Sequence, residues 1–210
     1  MRNVVLFCTG LSGSGKTYFI NNLPSGLFYN LRSLTTRGQR AGEVDGEKYF
    51  FVDEARFETE KLVTKLWVNQ DFWSPGKPKW MYGVPESEIY NNPCCNFVYD
   101  VIQPRYVRQM IDWFHSANLT TKYNFYIAWF LPPRENNIVA ARANMPDDTN
   151  VRKQNTCNLQ DFLNANLHVD FMLRPRDGQP DPRLEKFIET LYNDKLIRPG
   201  NSDSDKHCSR

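Results

Sequence analysis

The sequence predicts an α/β fold built on a parallel central sheet, and three of its features carry that reading. Short apolar runs alternate with segments whose apolar residues recur at helical spacing, the order expected when strands and helices take turns along a chain. One run, Phe125–Leu131, is almost continuously apolar, as a strand covered on both faces must be. The first run, Val4-Val5-Leu6-Phe7-Cys8, feeds directly into a glycine-rich turn and then a helix-forming segment.

Taken in order, Val4–Thr9 reads as a buried strand and Thr17–Leu23 as the first helix. Residues 33–95 break the rhythm. They are rich in Arg, Glu, Gly, Trp and Tyr, and short alternating pieces such as Lys48-Tyr49-Phe50-Phe51-Val52 predict a small β-rich insertion. Within it Asp53 is placed to cap a helix running through about Leu66. Pro104 suits a first helical turn, and Val107, Met110, Ile111 and Phe114 then line one apolar face that packs on the sheet. Phe125–Leu131 is a central strand cut off by Pro132-Pro133, after which a helix can begin. Residues 134–158 carry Arg134, Arg142, Arg152 and Lys153 among Asn, Asp and Pro, which predicts a solvated helical hairpin or a functional lid. Val169–Leu173 reads as a further strand. A last helix starts near Pro182, with Leu184, Phe187, Ile188 and Leu191 at helical spacing. The tail 199–210 is small, polar and charged, and is expected to be poorly ordered.

A chain of 210 residues that is 40% hydrophobic and 14% aromatic can bury the core of one domain. Its net charge of +2, from 26 basic and 24 acidic residues, creates no global field that would demand nucleic acid or an anionic membrane. Anion specificity must therefore be local. The 5 cysteines are irregularly spaced with no CxxC or Cys/His cluster, which disfavours a structural zinc and fits free thiols in a reducing cytoplasm. Met1-Arg2-Asn3 runs into a strand and not into a signal peptide, and no stretch approaches the ~20 apolar residues of a membrane span. A cytoplasmic protein, monomeric or homodimeric, is the expectation.

Residues 10–17 read Gly-Leu-Ser-Gly-Ser-Gly-Lys-Thr, the G-x-x-x-x-G-K-[ST] phosphate loop, between a strand and a helix as that motif requires. Each residue type has a physical role. Gly10, Gly13 and Gly15, with Ser12 and Ser14 between them, let backbone N–H groups turn inward around a phosphate. Lys16 can reach the β and γ oxygens as a point charge, and the Thr17 hydroxyl can ligate Mg²⁺. The motif predicts chemistry on ATP with Mg²⁺.

From Ser33 the chain reads Ser-Leu-Thr-Thr-Arg-Gly-Gln-Arg-Ala-Gly-Glu-Val-Asp-Gly-Glu-Lys-Tyr-Phe-Phe-Val. This resembles the guanylate kinase family, whose pattern S-x-T-T-R-x-x-R-x-x-E-x-x-G-x-x-Y is filled by Ser33, Thr35, Thr36, Arg37, Arg40, Glu43, Gly46 and Tyr49. Tyr82-Gly83 looks like the family's Tyr-Gly. Tyr99-Asp100-Val101, with Arg105 and Val107, resembles its Ile-Asp-Val segment, and Leu131-Pro132-Pro133 its stop before the lid. The resemblance spans roughly residues 4–175, dense to Val52 and thin beyond. It implies a P-loop NTPase three-layer sandwich with a small β-rich nucleoside-monophosphate subdomain and a helical lid. One domain over 1–198 is then expected, with core segments 1–32, 96–133 and 159–198, the acceptor insertion 33–95, the lid 134–158 and the flexible tail 199–210.

The implied reaction is transfer of the ATP γ-phosphoryl group to (d)GMP or a related purine nucleotide. Arg37 and Arg40, three residues apart, suit the bidentate clamp that a phosphomonoester dianion needs. By resemblance Tyr49 and Tyr82 add phenolic hydrogen bonds, Arg142 and Arg152 lie about where the lid arginines belong, and Asp100 serves both Mg²⁺ and the base. Recognition of the base departs from the family. Ser33 and Asp100 match, but Val84 offers no hydroxyl after Tyr-Gly, and Asn69 or Asp71 stands where a Glu is expected. Guanine's N1 and N2 donors suit a carboxylate, so a modified purine nucleotide stays open as the acceptor. Phe72–Trp80, aromatic and proline-rich, is either an altered acceptor pocket or packing beneath the small sheet. Two further readings are a guanylate-kinase-like protein-binding module without turnover, and a P-loop kinase for a different acceptor.

Overall fold

The computed structural model describes residues 2–10, 14–68, 80–101, 103–131, 159–173 and 182–193. The lid segment, the tail, Ser12, Gly13, Asn69, Asp71, Arg142 and Arg152 lie outside them.

The first strand, β1 (Asn3–Gly10), is the middle of a five-stranded sheet. It pairs in parallel with β7 (Phe97–Val101) on one side and with β8 (Tyr123–Phe130) on the other. The sheet is completed by β2 (Tyr29–Asn30) beside β7 and β9 (Phe171–Leu173) beside β8, giving the order β2-β7-β1-β8-β9 with every pair parallel. Period-two alternation sends successive side chains of β1 to opposite faces, and both faces are covered. Val5 and Phe7 pack into one core with Met110 and Phe114 of α4 (Pro104–Ser116) and Phe162 of α5 (Leu159–Asn164). Val4, Leu6 and Cys8 pack into the other with Ile20 of α1 (Lys16–Asn21) and Leu184 and Leu191 of α6 (Pro182–Asn193). Helix, sheet and helix thus form the three layers of an α/β sandwich with a parallel centre, as the sequence predicts.

The insertion forms its own four-stranded sheet, ordered β4-β3-β6-β5 from Tyr49–Phe51, Ser33–Thr35, Trp80–Pro85 and Leu62–Val68. The strand β3 pairs in parallel with β4 and antiparallel with β6, and β5 closes the sheet antiparallel to β6. A short core of Leu34, Phe57 and Met81, with Phe50, Val52 and Leu62 against it, sits under this sheet. Helix α3 (Glu86–Tyr90) returns the chain to the central sheet.

Two sequence expectations are corrected. Asp53 does cap a helix, accepting the Arg56 N–H at 2.7 Å, but α2 spans only Glu54–Thr59. Glu60 is already extended, with φ −77° and ψ 143°, and Leu62–Val68 is the strand β5 where a helix through Leu66 was expected. The β-branched Val63 and Thr64, buried between two layers, explain the switch, because tertiary packing overrides a weak helical period. The cysteines are not all free thiols either. Cys8 and Cys94 are free, but Cys95 is disulfide-bonded. Sequence spacing does not tell which thiols meet in space. No helix among the described residues is long and apolar enough to cross a membrane.

Candidate functional site

The phosphate loop leaves the carboxyl end of β1, the middle strand, where ligands of open α/β sheets sit. Gly10 has φ +145°, and a Cβ there would lie 2.4 Å from the Phe130 carbonyl oxygen, so only glycine lets β1 run this close to β8. Gly15, at φ +91°, turns the chain into α1 from a left-handed conformation. Ser14 is fully buried and its hydroxyl has no hydrogen-bond partner, an orphan polar atom in the loop that would wrap a phosphate. Lys16 is 5% exposed, and its Nζ donates to the Gly10 carbonyl at 2.9 Å.

Strand register brings Asp100 to this loop, because Cys8 of β1 stands beside Asp100 of β7. Its carboxylate accepts from the Thr17 hydroxyl at 3.2 Å and lies 3.7 Å from Lys16 Nζ. A hydroxyl and a carboxylate oxygen this close fit the protein share of a Mg²⁺ site, whose other ligands are phosphate oxygens and water. Among the described residues no larger cluster of His, Cys, Asp and Glu could hold a metal.

The acceptor side is organised by β3. Ser33 stands opposite Tyr49 and Thr35 opposite Tyr82, which places a tyrosine from each neighbouring strand beside Arg37. The two phenol rings meet edge to face at 5.9 Å. The Arg37 guanidinium lies 5.5 Å from the ring centres of both Tyr49 and Phe51, and the Tyr82 hydroxyl interacts with it electrostatically. Arg37 Nη2 donates to both Glu43 oxygens, at 2.7 and 3.0 Å, and Nη1 donates to the Gly38 carbonyl at 2.7 Å. Arg37 is 4% exposed and Glu43 27%, so the arginine of this pair is buried and its carboxylate partner half-buried. Glu43 also accepts from the Arg40 backbone N–H at 2.8 Å, tying both arginine positions to one carboxylate, while the Arg40 residue itself is exposed. Burial works to raise the Glu43 carboxyl, but the bonds from Arg37 and the Arg40 amide outweigh it and hold the group below its ordinary value. Burial pushes the Tyr49 phenol far up, with the neighbouring Tyr82 and Asp100 adding to the effect, so Tyr49 stays a protonated donor.

The phosphate-loop end of the core and the insertion face one cavity of about 310 Å³, lined by Thr17 and Asp100 from the core and by Glu43, Lys48 and Tyr49 from the insertion. The residues expected to read the base separate. Ser33 Oγ lies 3.3 Å from the Tyr99 hydroxyl, with Thr64 nearby on β5, whereas Asp100 turns to the phosphate loop. Burial raises the Tyr99 phenol to about 12. Val84 is fully buried in the core beneath. Lys48, Thr64 and Tyr99 were not singled out by sequence reasoning. The only signal for them was position, since Lys48 and Tyr99 are each the immediate neighbour of a motif residue.

A parallel sheet covered on both faces, a glycine-rich loop leaving its middle strand, and a lysine and threonine at the start of the following helix together define a phosphate-loop α/β protein. Among curated proteins, the chain is 31% identical over 94 residues to the guanylate kinase of Carboxydothermus hydrogenoformans, covering 42% of each. It is 40% identical over 73 residues to that of Rhodopseudomonas palustris, covering 32% of the chain and 33% of the relative, and 48% identical over 60 residues to one from Thermus thermophilus, covering 28% and 27%. Over the stretch they share the chain is similar to these guanylate kinases, and it spans less than half the length of the curated relatives it matches. A crystal structure of guanylate kinase from Anaplasma phagocytophilum aligns with 99% of the chain and 89% of its own, at 16% identity and a TM-score of 0.47. No family model matches.

Proposed function

We propose that the chain is an ATP-dependent nucleoside monophosphate kinase that moves the γ-phosphoryl group of ATP to (d)GMP or a closely related purine nucleotide. The observation that carries this reading is the cavity shared by Thr17 and Asp100 on one wall and Glu43, Lys48 and Tyr49 on the other. Phosphoryl transfer asks a protein mainly for alignment and charge neutralisation, and a cavity walled by both sets of groups can supply both. The amides of residues 10–17 and Lys16 would hold the donor phosphates. Thr17 and Asp100 would hold Mg²⁺, which when bound neutralises charge on the β and γ oxygens. Arg37, oriented by Glu43 and flanked by Tyr49 and Tyr82, would fix the acceptor phosphate, with Arg40 beside it. Residues 33–95 would then act as the acceptor subdomain and 134–158 as a lid bringing Arg142 and Arg152, in a cytoplasmic enzyme. Ser33 would meet the base, and Asn69 would contribute from its side of the insertion.

The names of the curated relatives support guanine as the base, while the neutral hydroxyls of Ser33, Tyr99 and Thr64 widen the choice to related purines. A coupled assay for ADP release, run with MgATP across all ribo- and deoxynucleoside monophosphates, tests the reading. Turnover strongest with GMP or dGMP is expected, and no turnover with any acceptor would end it.

A further inference from the structure

Lys48 belongs to the insertion, yet its ammonium reaches across the cavity into the core. Nζ lies 3.3 Å from Thr17 Oγ1 and 3.2 Å from Asp100 Oδ2, and those two oxygens are themselves 3.2 Å apart. The three atoms close a triangle at the place where a divalent metal would be ligated. We propose that Lys48 is the resident cation of the donor site: it holds Thr17 and Asp100 while no nucleotide is bound, and exchanges for the metal when metal-bound nucleotide enters. The proposal rests on the phosphotransferase reading of Thr17 and Asp100.

Three physical arguments support the exchange. An ammonium hydrogen-bonded to both oxygens and a magnesium ion bonded to the same oxygens at about 2.1 Å would stand only a few ångströms apart and repel each other strongly. The charges at the triangle are Asp100 against Lys16 and Lys48, at 3.7 and 3.2 Å, so a bare divalent cation meets two cations and one anion. Nucleotide phosphates reverse that balance, and a metal can then enter with them. The lysine is also built to move. Its side chain is 42% exposed on a flexible four-carbon stem, and Nζ lies 5.8 Å from the centre of the Tyr49 ring. Once displaced, Lys48 stays within reach of the phosphate chain from the acceptor wall, so its charge is redirected toward the nucleotide. Glu43 and Glu47, lining the same cavity, are the carboxylates beside its path.

Manganese binding to the nucleotide-free full chain, followed by the loss of free Mn²⁺ signal in electron paramagnetic resonance, tests this without turnover. Lys48→Met is expected to bind Mn²⁺ about tenfold more tightly than wild type, the scale set by one charge a few ångströms away at a half-exposed site. Lys48→Arg, which keeps the charge, should stay near wild type, and Asp100→Asn should abolish the gain when added to Lys48→Met. Equal Mn²⁺ affinity in wild type and Lys48→Met, while MnADP binds wild type normally, would overturn the role of Lys48 alone. Failure of MnADP to bind wild type would remove the donor site itself and this proposal with it.

Discussion

At the scale of single residues, the site separates groups that hold charge from groups that hold position. Lys16 is buried against the loop it serves, and Lys16→Met is expected to lower kcat by about 10²- to 10³-fold, the usual loss when one preorganised charge is removed. Steady-state kinetics with saturating acceptor would read it. Arg37 carries a second, structural burden through Glu43. Arg37→Lys keeps the charge but loses the planar guanidinium whose Nη2 meets both Glu43 oxygens while Nη1 holds the Gly38 carbonyl, so KM for the acceptor should rise about tenfold while KM for ATP changes little. The pair also sets a pH dependence. The Glu43 carboxyl is held below its ordinary value of 4.5, so its contribution to stability is complete above that pH and is lost as pH falls through the depressed folded value. Thermal melts of wild type against Glu43→Gln should therefore differ at neutral pH and converge in acid; a constant gap down to strong acid would count against the ion pair. On the proposed function, these residues are legible in the sequence because a phosphate dictates its partners: glycines for amides, Lys and Thr for donor and metal, paired Arg for a dianion. Lys48 was not, because a lysine beside a motif tyrosine reads as an ordinary solvated charge until the fold carries it across the cavity to Asp100.

At the scale of elements, the strands place the chemistry and the turns set the limits. The alternation of Val4 to Cys8 between two cores shows why a continuous apolar run is a central parallel strand, a pattern visible without coordinates. Helix α4 is similarly plain, since Val107, Met110, Ile111 and Phe114 are all buried as its period requires. The piece after Asp53 was misleading because a good N-cap announces where a helix starts and says nothing of where it stops. There, long-range pairing to β6 outweighed local propensity, and it backs the strand whose pairing with β3 sets Tyr82 beside Arg37. Gly83, next along β6, is the weak point of the arrangement. A Cβ on it would lie 2.6 Å from the Thr64 carbonyl oxygen and 2.8 Å from Leu62 Cδ1, where β5 carries its irregular register. Gly83→Ala should push β5 and β6 apart, lowering stability by about 1–3 kcal/mol and raising the acceptor KM by displacing the neighbouring Tyr82. Denaturant melts and acceptor titrations measure the two effects separately, and an unchanged acceptor KM would show that Tyr82 is not held by this strand pair.

At the scale of the whole molecule, the acceptor sheet and the central sheet must keep a fixed register for the shared cavity to exist, and the chain between them is short. Tyr29–Asn30 is an edge strand of the central sheet, Ser33–Thr35 begins the small one, and Arg32 lies at the junction. Its guanidinium is clamped from several directions. Nη2 and Nε donate to the two Glu88 oxygens at 2.8 and 3.1 Å, Nη1 donates to the Gly46 carbonyl at 3.0 Å, and the face of the group lies 4.7 Å from the Phe50 ring centre. The Tyr29 hydroxyl adds a bond to Glu88, and burial followed by the Glu88 charge keeps that phenol protonated. One buried carboxylate on α3 thus ties the end of the central sheet to the loop that carries Gly46 and the strand that carries Phe50. The two partners are not equivalent, because Glu88 is 6% exposed and Arg32 31%. Arg32→Met leaves a buried carboxylate with the residue-32 backbone N–H at 3.0 Å and the Tyr29 phenol at 3.1 Å as its neutral donors and no countercharge from this position, and is expected to cost about 3 kcal/mol or more. Glu88→Gln leaves a guanidinium that can turn to water and keeps a neutral acceptor in place, so it should cost roughly half as much. If the junction sets the cavity, both variants should also raise the acceptor KM while leaving ATP binding by the phosphate loop nearly unchanged. Equal destabilisation by the two substitutions, or a loss shared evenly between acceptor and ATP, would mean that the clamp supports the core as a whole and does not hold one sheet against the other.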